Sequence, residues 1–591
     1  MFALRTTCDR GDTIPDRPDG YYRFAGGSLM IDVRLEGLYG FSFEFDNGVA
    51  VGEALSPVEK SRIEEIVSNP AGLSSGQRRL GNDILALVYA DGATNTVTVV
   101  GSVSSTRPYY MSRQKGSFCC STSVKALAEL GVPMAADEEA VPEFLVYRFV
   151  TPPRTLYKGI SKLIGGQALQ FDLTTGANTY DNCYAFDSSS DDINNENDVR
   201  DRLADILRRQ TGLSLNNAER PGVLLSGGLD SSLLASLAVS SGKDVTSTSS
   251  SFSFVDENDA ESNYALSVAK HLGIRHSVYE GSPEEYLAGM VESIWHAEEP
   301  VHHLQSVMLY LLFKQHAGQD VLICGEGADG LFGNDMHARL HKYGGALTAA
   351  RRTGAVHLYR QLVRIFGRGY RWRFFAHDFG PDLNRNNHIL WTLGQYGSAE
   401  VVKQRFGCND EAITTTHRSL MQDYSSENLL KQVTIQSLLC EGFVTMCIWG
   451  KLAESCALAL HYPFTAPELV DYITSVPWEM KLKEPKYFVR ALLRSEGTPE
   501  SFITRPKMSF GFPYRYWALP DTMFQPVVDM AASAFDRDWL RSLQTLEAGR
   551  AMVLWNILSL YLWRRMFIEG ASHESLTQEI LDRYRKQEAS R

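Results

Sequence analysis

The 591-residue chain predicts two joined fold classes: a β-rich N-terminal domain, then an α/β domain with a parallel sheet and a helical extension. Three observations carry this. Upstream of residue 186, short apolar runs (SLMIDVRL, GFSFEF, LALVYA, TVTVVG) alternate with Gly, Asp and Asn, the pattern of strands separated by turns. Residues 186–198, FDSSSDDINNEND, are polar and poor in apolar side chains, so they read as a seam. Beyond it, PGVLLSGGLDSSLLASLA reads as buried strand, glycine turn and helix. Further strands near Val245–Phe254 and Asp320–Cys324 alternate with helical stretches such as Glu261–Leu272. Strand–helix alternation implies a parallel sheet with helices on its faces. From Ala338 the pattern is mostly helical. The division expected is 1–188, a linker at 189–197, and 198–591.

Composition narrows the function classes. The formal net charge of −12 does not favour nucleic acid or an anionic membrane surface. No apolar run approaches the ~20 residues of a membrane helix, and the first residues lack the apolar core of a signal peptide. Nine cysteines without a C-x-x-C pair suggest free thiols in a reducing compartment, so a cytoplasmic location is expected.

The strongest local signal is Leu225-Ser226-Gly227-Gly228-Leu229-Asp230-Ser231-Ser232, after the strand Val223–Leu225 and before a helix expected at Leu233–Leu237. Two glycines let backbone turn tightly and approach a ligand. The helix N-terminus offers unpaired N–H groups and the positive end of its dipole. With three serine hydroxyls this forms a polyphosphate cradle. Asp230 would repel phosphate unless a cation lay between, which suggests Mg²⁺. The same residues also fit a plain strand–helix turn whose serines cap the helix. A Walker loop is not present, because no G-K-[ST] follows.

A second segment, Cys324-Gly325-Glu326-Gly327-Ala328-Asp329-Gly330-Leu331-Phe332-Gly333, also follows an apolar strand. Asp329 offers another carboxylate to the same cation, and its glycines admit a nucleotide. A third, Arg505-Pro506-Lys507-Met508-Ser509-Phe510-Gly511-Phe512-Pro513, contains a lysine able to offset charge growing on a carbonyl oxygen or on pyrophosphate.

In this order the three segments resemble the asparagine synthetase superfamily: its S-G-G-[LIV]-D-S-S loop, its G-E-G-[AS]-D-E-L-F-G-G-Y segment and its R-x-K-x-G-F-x-x-P segment. Upstream, Arg107-Pro108-Tyr109-Tyr110, Ser123-Val124-Lys125-Ala126-Leu127 and Thr155-Leu156-Tyr157-Lys158-Gly159-Ile160 are similar to segments of its glutaminase domain. The resemblance implies an N-terminal-nucleophile-hydrolase-like first domain and a pyrophosphatase-type α/β second domain. It further implies that Leu225 to Ser232 hold ATP and pyrophosphate, and that Ser253 and Gly325 border the adenosine. Asp230 and Asp329 would bind Mg²⁺, Glu326 would organise the acyl-adenylate or take a proton from the attacking amine, and Lys507 would stabilise the transition state.

Departures from the family bear on the substrate. A family glutaminase uses a cysteine directly after the initiator Met, and Phe2 stands there. Loss of glutamine hydrolysis is therefore expected. The V-E-x-R-x-P-F-L-D of the family reads Leu458-Ala459-Leu460-His461-Tyr462-Pro463-Phe464-Thr465-Ala466, without the charges that suit a small zwitterion. This profile resembles two glutaminase-dead branches, the lasso-peptide cyclases and the β-lactam synthetases. The β-lactam branch has Tyr where this chain has Glu326. The resemblance thus implies an ATP-dependent ligase that adenylates a carboxylate, with a precursor peptide as substrate and a leader-peptide-binding protein and a protease as partners. An ammonia-using asparagine synthetase and a small-molecule amide or β-lactam synthetase are the alternatives, and a silent nucleotide-binding scaffold is the non-enzyme rival.

Other patterns read as bland. Gly325-x-Gly327-x-x-Gly330 matches a dinucleotide fingerprint but lacks the acid that such a site needs about 20 residues on. Gly72-Leu73-Ser74-Ser75-Gly76 matches a hydrolase elbow but follows Asn69-Pro70-Ala71, which suits a surface loop. His302 and His303 read as helix-start polar residues without zinc spacing. The acid-free segment 336–377 carries nine basic residues, Arg360, Arg364 and Arg368 among them, and reads as a solvated face or a basic wall for an acidic peptide. Glu441 and Glu454 are candidate acids on the acceptor side.

Overall fold

The computed structural model describes residues 2–7, 21–26, 29–35, 40–46, 48–55, 57–67, 84–103, 107–114, 117–182, 193, 195–216, 218–252, 258–315, 318–334, 337–338, 341–342, 353, 355, 396–423, 429–505 and 517–591. The apolar alternation upstream of residue 183 becomes two six-stranded antiparallel sheets. One runs Ile160–Lys162, Tyr110–Gln114, Ser117–Ser121, Phe2–Thr7, Leu29–Leu35, Tyr21–Gly26, and the other Asn178–Asn182, Gln167–Asp172, Thr96–Gly101, Ile84–Asp91, Gly48–Ala54, Gly40–Phe45. Val49, Val51, Val88, Val97 and Val99 of the second meet Met111, Phe118 and Cys120 of the first in one buried cluster. The other face of the second sheet packs Ala50, Leu87 and Val100 against the helix Lys60–Val67.

Period-two alternation settles the adjacent cysteines. Cys120 points into the core between the sheets, and Cys119 points the opposite way, into the main core of the molecule. Both are buried, and neither is in a disulfide.

Beyond the seam lies a five-stranded sheet ordered His276–Gly281, Thr246–Phe252, Pro221–Leu224, Val321–Ile323, Ala459–His461. All four pairings are parallel. In chain order this is 3-2-1-4-5, so the winding reverses between Pro221–Leu224 and Val321–Ile323. In open α/β sheets, ligands bind outside the carboxyl ends of the strands at such a reversal. The loops leaving those two strands are the first two sequence motifs. The remaining described C-terminal residues are largely helical, ending in Ala548–Phe567 and His573–Ser590.

One helical stretch corrects the sequence expectation about apolar length. Val433–Glu454 is long and apolar enough to cross a membrane, yet 78% of its apolar window is packed inside the protein. It includes a π-helical turn at Leu438–Gly442 and carries Glu441, Lys451 and Glu454.

The two parts share buried charge. Glu298 closes the helix Pro283–Ala297 in a left-handed conformation and sends its carboxylate into the β-rich part. There it accepts from Ser123 Oγ (2.5 Å) and from the Val124 amide (2.7 Å), so it caps the helix Val124–Glu129 from another part of the chain. Lys451 Nζ neutralises it at 2.5 Å. Neighbouring Glu299 pairs with Lys162 and accepts from Tyr110 Oη at 2.6 Å. Both acids thus turn toward the β-rich part. Replacing Glu298 with Gln leaves a buried ammonium without its counter-charge, a loss of about 3–5 kcal/mol. Urea unfolding should show it as a lower midpoint, and an unchanged midpoint would contradict the capping role.

Candidate functional site

The glycine turn is built by sterics. Gly227 has φ of +71°, and a Cβ there would lie 2.7 Å from the Ala265 amide nitrogen of the helix Asn258–Leu272. The helix after the turn begins at Leu229, four residues before the position expected, and runs to Ser240 with Gly228 as N-cap. Asp230, Ser231 and Ser232 therefore lie in its first turn, and both serines are buried. Ser226 Oγ and Ser231 Oγ hydrogen-bond each other at 3.1 Å, and Ser226 Oγ accepts from the Gly228 amide at 3.3 Å. These bonds between Ser226, Ser231 and Gly228 hold the loop's shape beside the helix N-terminus, whose N–H groups suit an anion.

The second loop meets the first directly. A Cβ on Gly325 would lie 3.1 Å from Asp230 Cβ and 3.3 Å from the Ser231 amide nitrogen. Gly327, φ +90°, is the N-cap of the short helix Ala328–Phe332, which carries Asp329.

Asp230 and Asp329 converge on one cation that the sequence reading did not select. Lys486 Nζ forms an ion pair with Asp230 and another with Asp329 at 2.6 Å. Its side chain is only 8% exposed. The backbone places it: Lys486 has φ of +58° at the N-cap of the helix Tyr487–Ser495, and its amide donates to the Gly333 carbonyl at 2.9 Å. Burial lowers the lysine's pKa, but the two carboxylates outweigh burial and hold it above the ordinary range. Two carboxylates from separate loops around one charge are a hard-oxygen donor set that suits a divalent cation such as Mg²⁺. Among the described residues no group of three or more His, Cys, Asp or Glu could hold a metal by itself.

Glu326 belongs to the second loop, between Gly325 and Gly327. Burial, then Asp329 and Glu441, push its carboxyl up to about 7. A carboxyl poised there can take a proton near neutral pH. Glu441 goes the other way: burial raises it, but the Arg148 guanidinium and His303 hold it down at about 2. Glu454 belongs elsewhere, since it pairs with Arg107 at 3.3 Å. His303 is the N-cap of the helix Leu304–Lys314, although its ring makes no cap bond.

The substrate-side departures also have a structural account. His461 is buried, and its Nδ1 donates to the Ser214 carbonyl at 2.9 Å. Burial lowers its pKa to about 4, so the ring is neutral. Thr465 is fully buried, with its methyl 2.4 Å from the Cβ position that Gly327 lacks. Ser253, Lys507, the Gly72–Gly76 stretch and most of the basic segment 336–377, Arg360, Arg364 and Arg368 included, lie outside the described residues.

Comparison with known proteins agrees with this geometry. The asparagine synthase family matches residues 198–565, and the glutamine amidotransferase domain family matches 77–182. The chain is 24% identical to asparagine synthetase [glutamine-hydrolyzing] 1 of Bacillus subtilis, over 78% of this chain and 74% of that protein. It is 23% identical to a putative asparagine synthetase [glutamine-hydrolyzing] of Mycobacterium tuberculosis, over 78% and 73%. An NMN synthetase structure from Francisella tularensis aligns with 40% of this chain and 98% of its own at 17% identity, with a TM-score of 0.18, too low to bear on the fold. With 368 of its 591 residues inside the family match, the chain belongs to the asparagine synthase family and is an AMP-forming carbon–nitrogen ligase of that type.

Proposed function

We propose that the protein adenylates a side-chain carboxylate of a precursor peptide and closes it onto the peptide's own amine, without hydrolysing glutamine. The reading is carried by one observation: Asp230 and Asp329, from the two loops at the sheet reversal, meet on the buried cation Lys486. A carboxylate oxygen attacks the α-phosphorus of ATP, the bond to the β-phosphate oxygen breaks, and pyrophosphate departs. The helix N-terminus at Leu229 and the Lys486 ammonium receive its charge. Asp230 and Asp329 are the residues to hold Mg²⁺, which when bound supplies further neutralisation of the phosphates. Lys507 is assigned to the charge that grows on the reacting centre. Ser253 and Gly325 are assigned to the adenosine. The amine then attacks the acyl carbon, its proton passes to Glu326, and AMP leaves.

The peptide substrate is favoured by the acceptor side. Where the family carries charges for a small amino acid, this chain has Ala459, Leu460 and a neutral His461 committed to Ser214. A leader-peptide-binding protein and a protease are the partners that this reading requires.

The test is pyrophosphate release with ATP, Mg²⁺ and a probe panel: L-aspartate with ammonia, and synthetic peptides with a free N-terminal amine and one Asp or Glu. A peptide product lighter by one water supports the reading. Turnover of aspartate alone would replace it with an ammonia-using asparagine synthetase. Asp230→Asn should lower pyrophosphate release by about two orders of magnitude while the protein remains folded, Asp329 still facing Lys486. Normal turnover in that variant would remove Asp230 from the site.

A further inference from the structure

The β-rich part sends one charged side chain toward the neighbourhood of Glu326. Arg148 ends the helix Val141–Tyr147 in a left-handed conformation, φ +74°, an uncommon choice for a residue with a long side chain. That turn directs its guanidinium across the seam. One nitrogen reaches Glu441 Oε1 at 2.6 Å, and another meets His303 Nδ1 at 3.2 Å. Because the guanidinium can only donate, His303 Nδ1 accepts and its proton resides on Nε2. That Nε2 lies 3.4 Å from the same Glu441 oxygen. Two donors, one from each part of the chain, therefore fix one carboxylate.

Glu441 occupies the π-helical turn Leu438–Gly442, a distortion that commonly re-aims side chains at functional sites. The helix that leads into that turn is tied to the second motif, because Thr434 Oγ1 donates to the Gly330 carbonyl at 3.1 Å. Glu441 and Glu326 are thereby close enough for each carboxylate to feel the other's charge. Glu326 is the proton acceptor, and Glu441 is held ionised.

We infer that Arg148 is a positioning residue for amide formation: with His303 it fixes Glu441 beside Glu326, where Glu441 accepts a hydrogen bond from the incoming amine. The inference rests on the ligase reading above. The balance is simple. The neutral amine's lone pair attacks the acyl carbon, the C–N bond forms, and the C–O bond to the adenylate phosphate breaks. One N–H proton goes to Glu326, and AMP departs with the electron pair. Glu441 orients the nitrogen and is unchanged at the end. The β-rich part, whatever its hydrolytic state, then supplies a piece of the ligase site.

Arg148→Met separates the two half-reactions. With whichever probe of the panel the unaltered protein adenylates, pyrophosphate release should stay within about twofold, while amide product falls about tenfold or more and the adenylate hydrolyses to AMP and free acid. The groups that face Glu441 are Arg148, His303, Glu326 and Cys440. Removing the one permanent cation among them raises Glu441, so the acid limb of amide formation moves to higher pH. Arg148→Lys should restore part of the coupling. Arg107→Met, which breaks a different ion pair across the same seam, should leave the ratio of amide to pyrophosphate unchanged. Should Arg148→Met fail to fold, Glu441→Gln keeps the side-chain volume and carries the same test. A parallel fall of both products, or an unmoved acid limb, overturns the inference while the ligase reading stands. No pyrophosphate from the unaltered protein with any probe overturns both.

Discussion

Replacing Lys486 with methionine will lower pyrophosphate release by about a hundredfold or more, the scale of losing one preorganised charge at a reacting centre. The structure supplies the reason. Without the ammonium, Asp230 and Asp329 face each other and the incoming triphosphate with no resident cation between them. The same change should destabilise the nucleotide-free protein. Its pH dependence has a definite sign. A lysine whose folded pKa is raised contributes stability that is complete below its unfolded value, about 10.4, and is lost only as pH rises through the folded value. The loss in Lys486→Met should therefore be equal at pH 6 and pH 8 as far as this group is concerned, which calorimetry at both values can read. Undiminished pyrophosphate release would remove Lys486 from the site.

Glu326→Gln should act on the other half-reaction. A positioned general base contributes on the order of 10²–10⁴ in rate, so amide formation should fall on that scale while adenylation persists. With its carboxyl near 7, Glu326 is the protonated acid below that pH and the competent base above it. Amide formation in the unaltered protein should therefore rise through neutrality. The amine's own ionisation, about 7.7–8.0 for an α-amine, adds a second limb. That limb belongs to the substrate and survives in the glutamine variant, so the difference between the two profiles isolates Glu326. Identical profiles would exclude it as the base. An equal loss of pyrophosphate release would assign it to adenylation instead.

The parallel sheet and the meeting of its first two loops were legible because short-range chemistry writes them plainly. Val223–Leu225 can only be a buried strand, and two glycines before Leu229 announce a turn into a helix. The helix start was misplaced because Asp230, Ser231 and Ser232 look like loop residues. Their side chains serve the first helical turn instead, where Asp is favoured by the dipole. Lys486 was not legible. Among 58 lysines and arginines, nothing in KEPKYFVR marks one as buried. Two acids beside a phosphate cradle do demand a cation, so the need could be read, but its supplier lies 256 residues from Asp230 and is chosen by tertiary structure alone. Arg148 is a similar case: its role depends on a left-handed backbone and a seam that no local pattern encodes. Glu441 was readable as an acid on the right helix, while its partners were not. Glu454 looked equivalent in sequence and faces Arg107 instead.

The largest buried cluster does not respect the seam. Val103, Tyr110, Cys119, Phe144 and Tyr157 of the β-rich part belong to the same continuous interior as Leu225, Ile323, Leu438 and Trp555 of the α/β part. Trp563 donates to Tyr157 Oη at 2.8 Å, and Asn556 donates to the Leu145 carbonyl at 2.9 Å, both fully inside. Two halves that share one interior should melt in a single transition, which calorimetry can read. Truncating the first would flay the second, exposing an oily flank to water. The inner wall of the β-rich part is thus also a wall of the α/β part, whatever chemistry the first part performs.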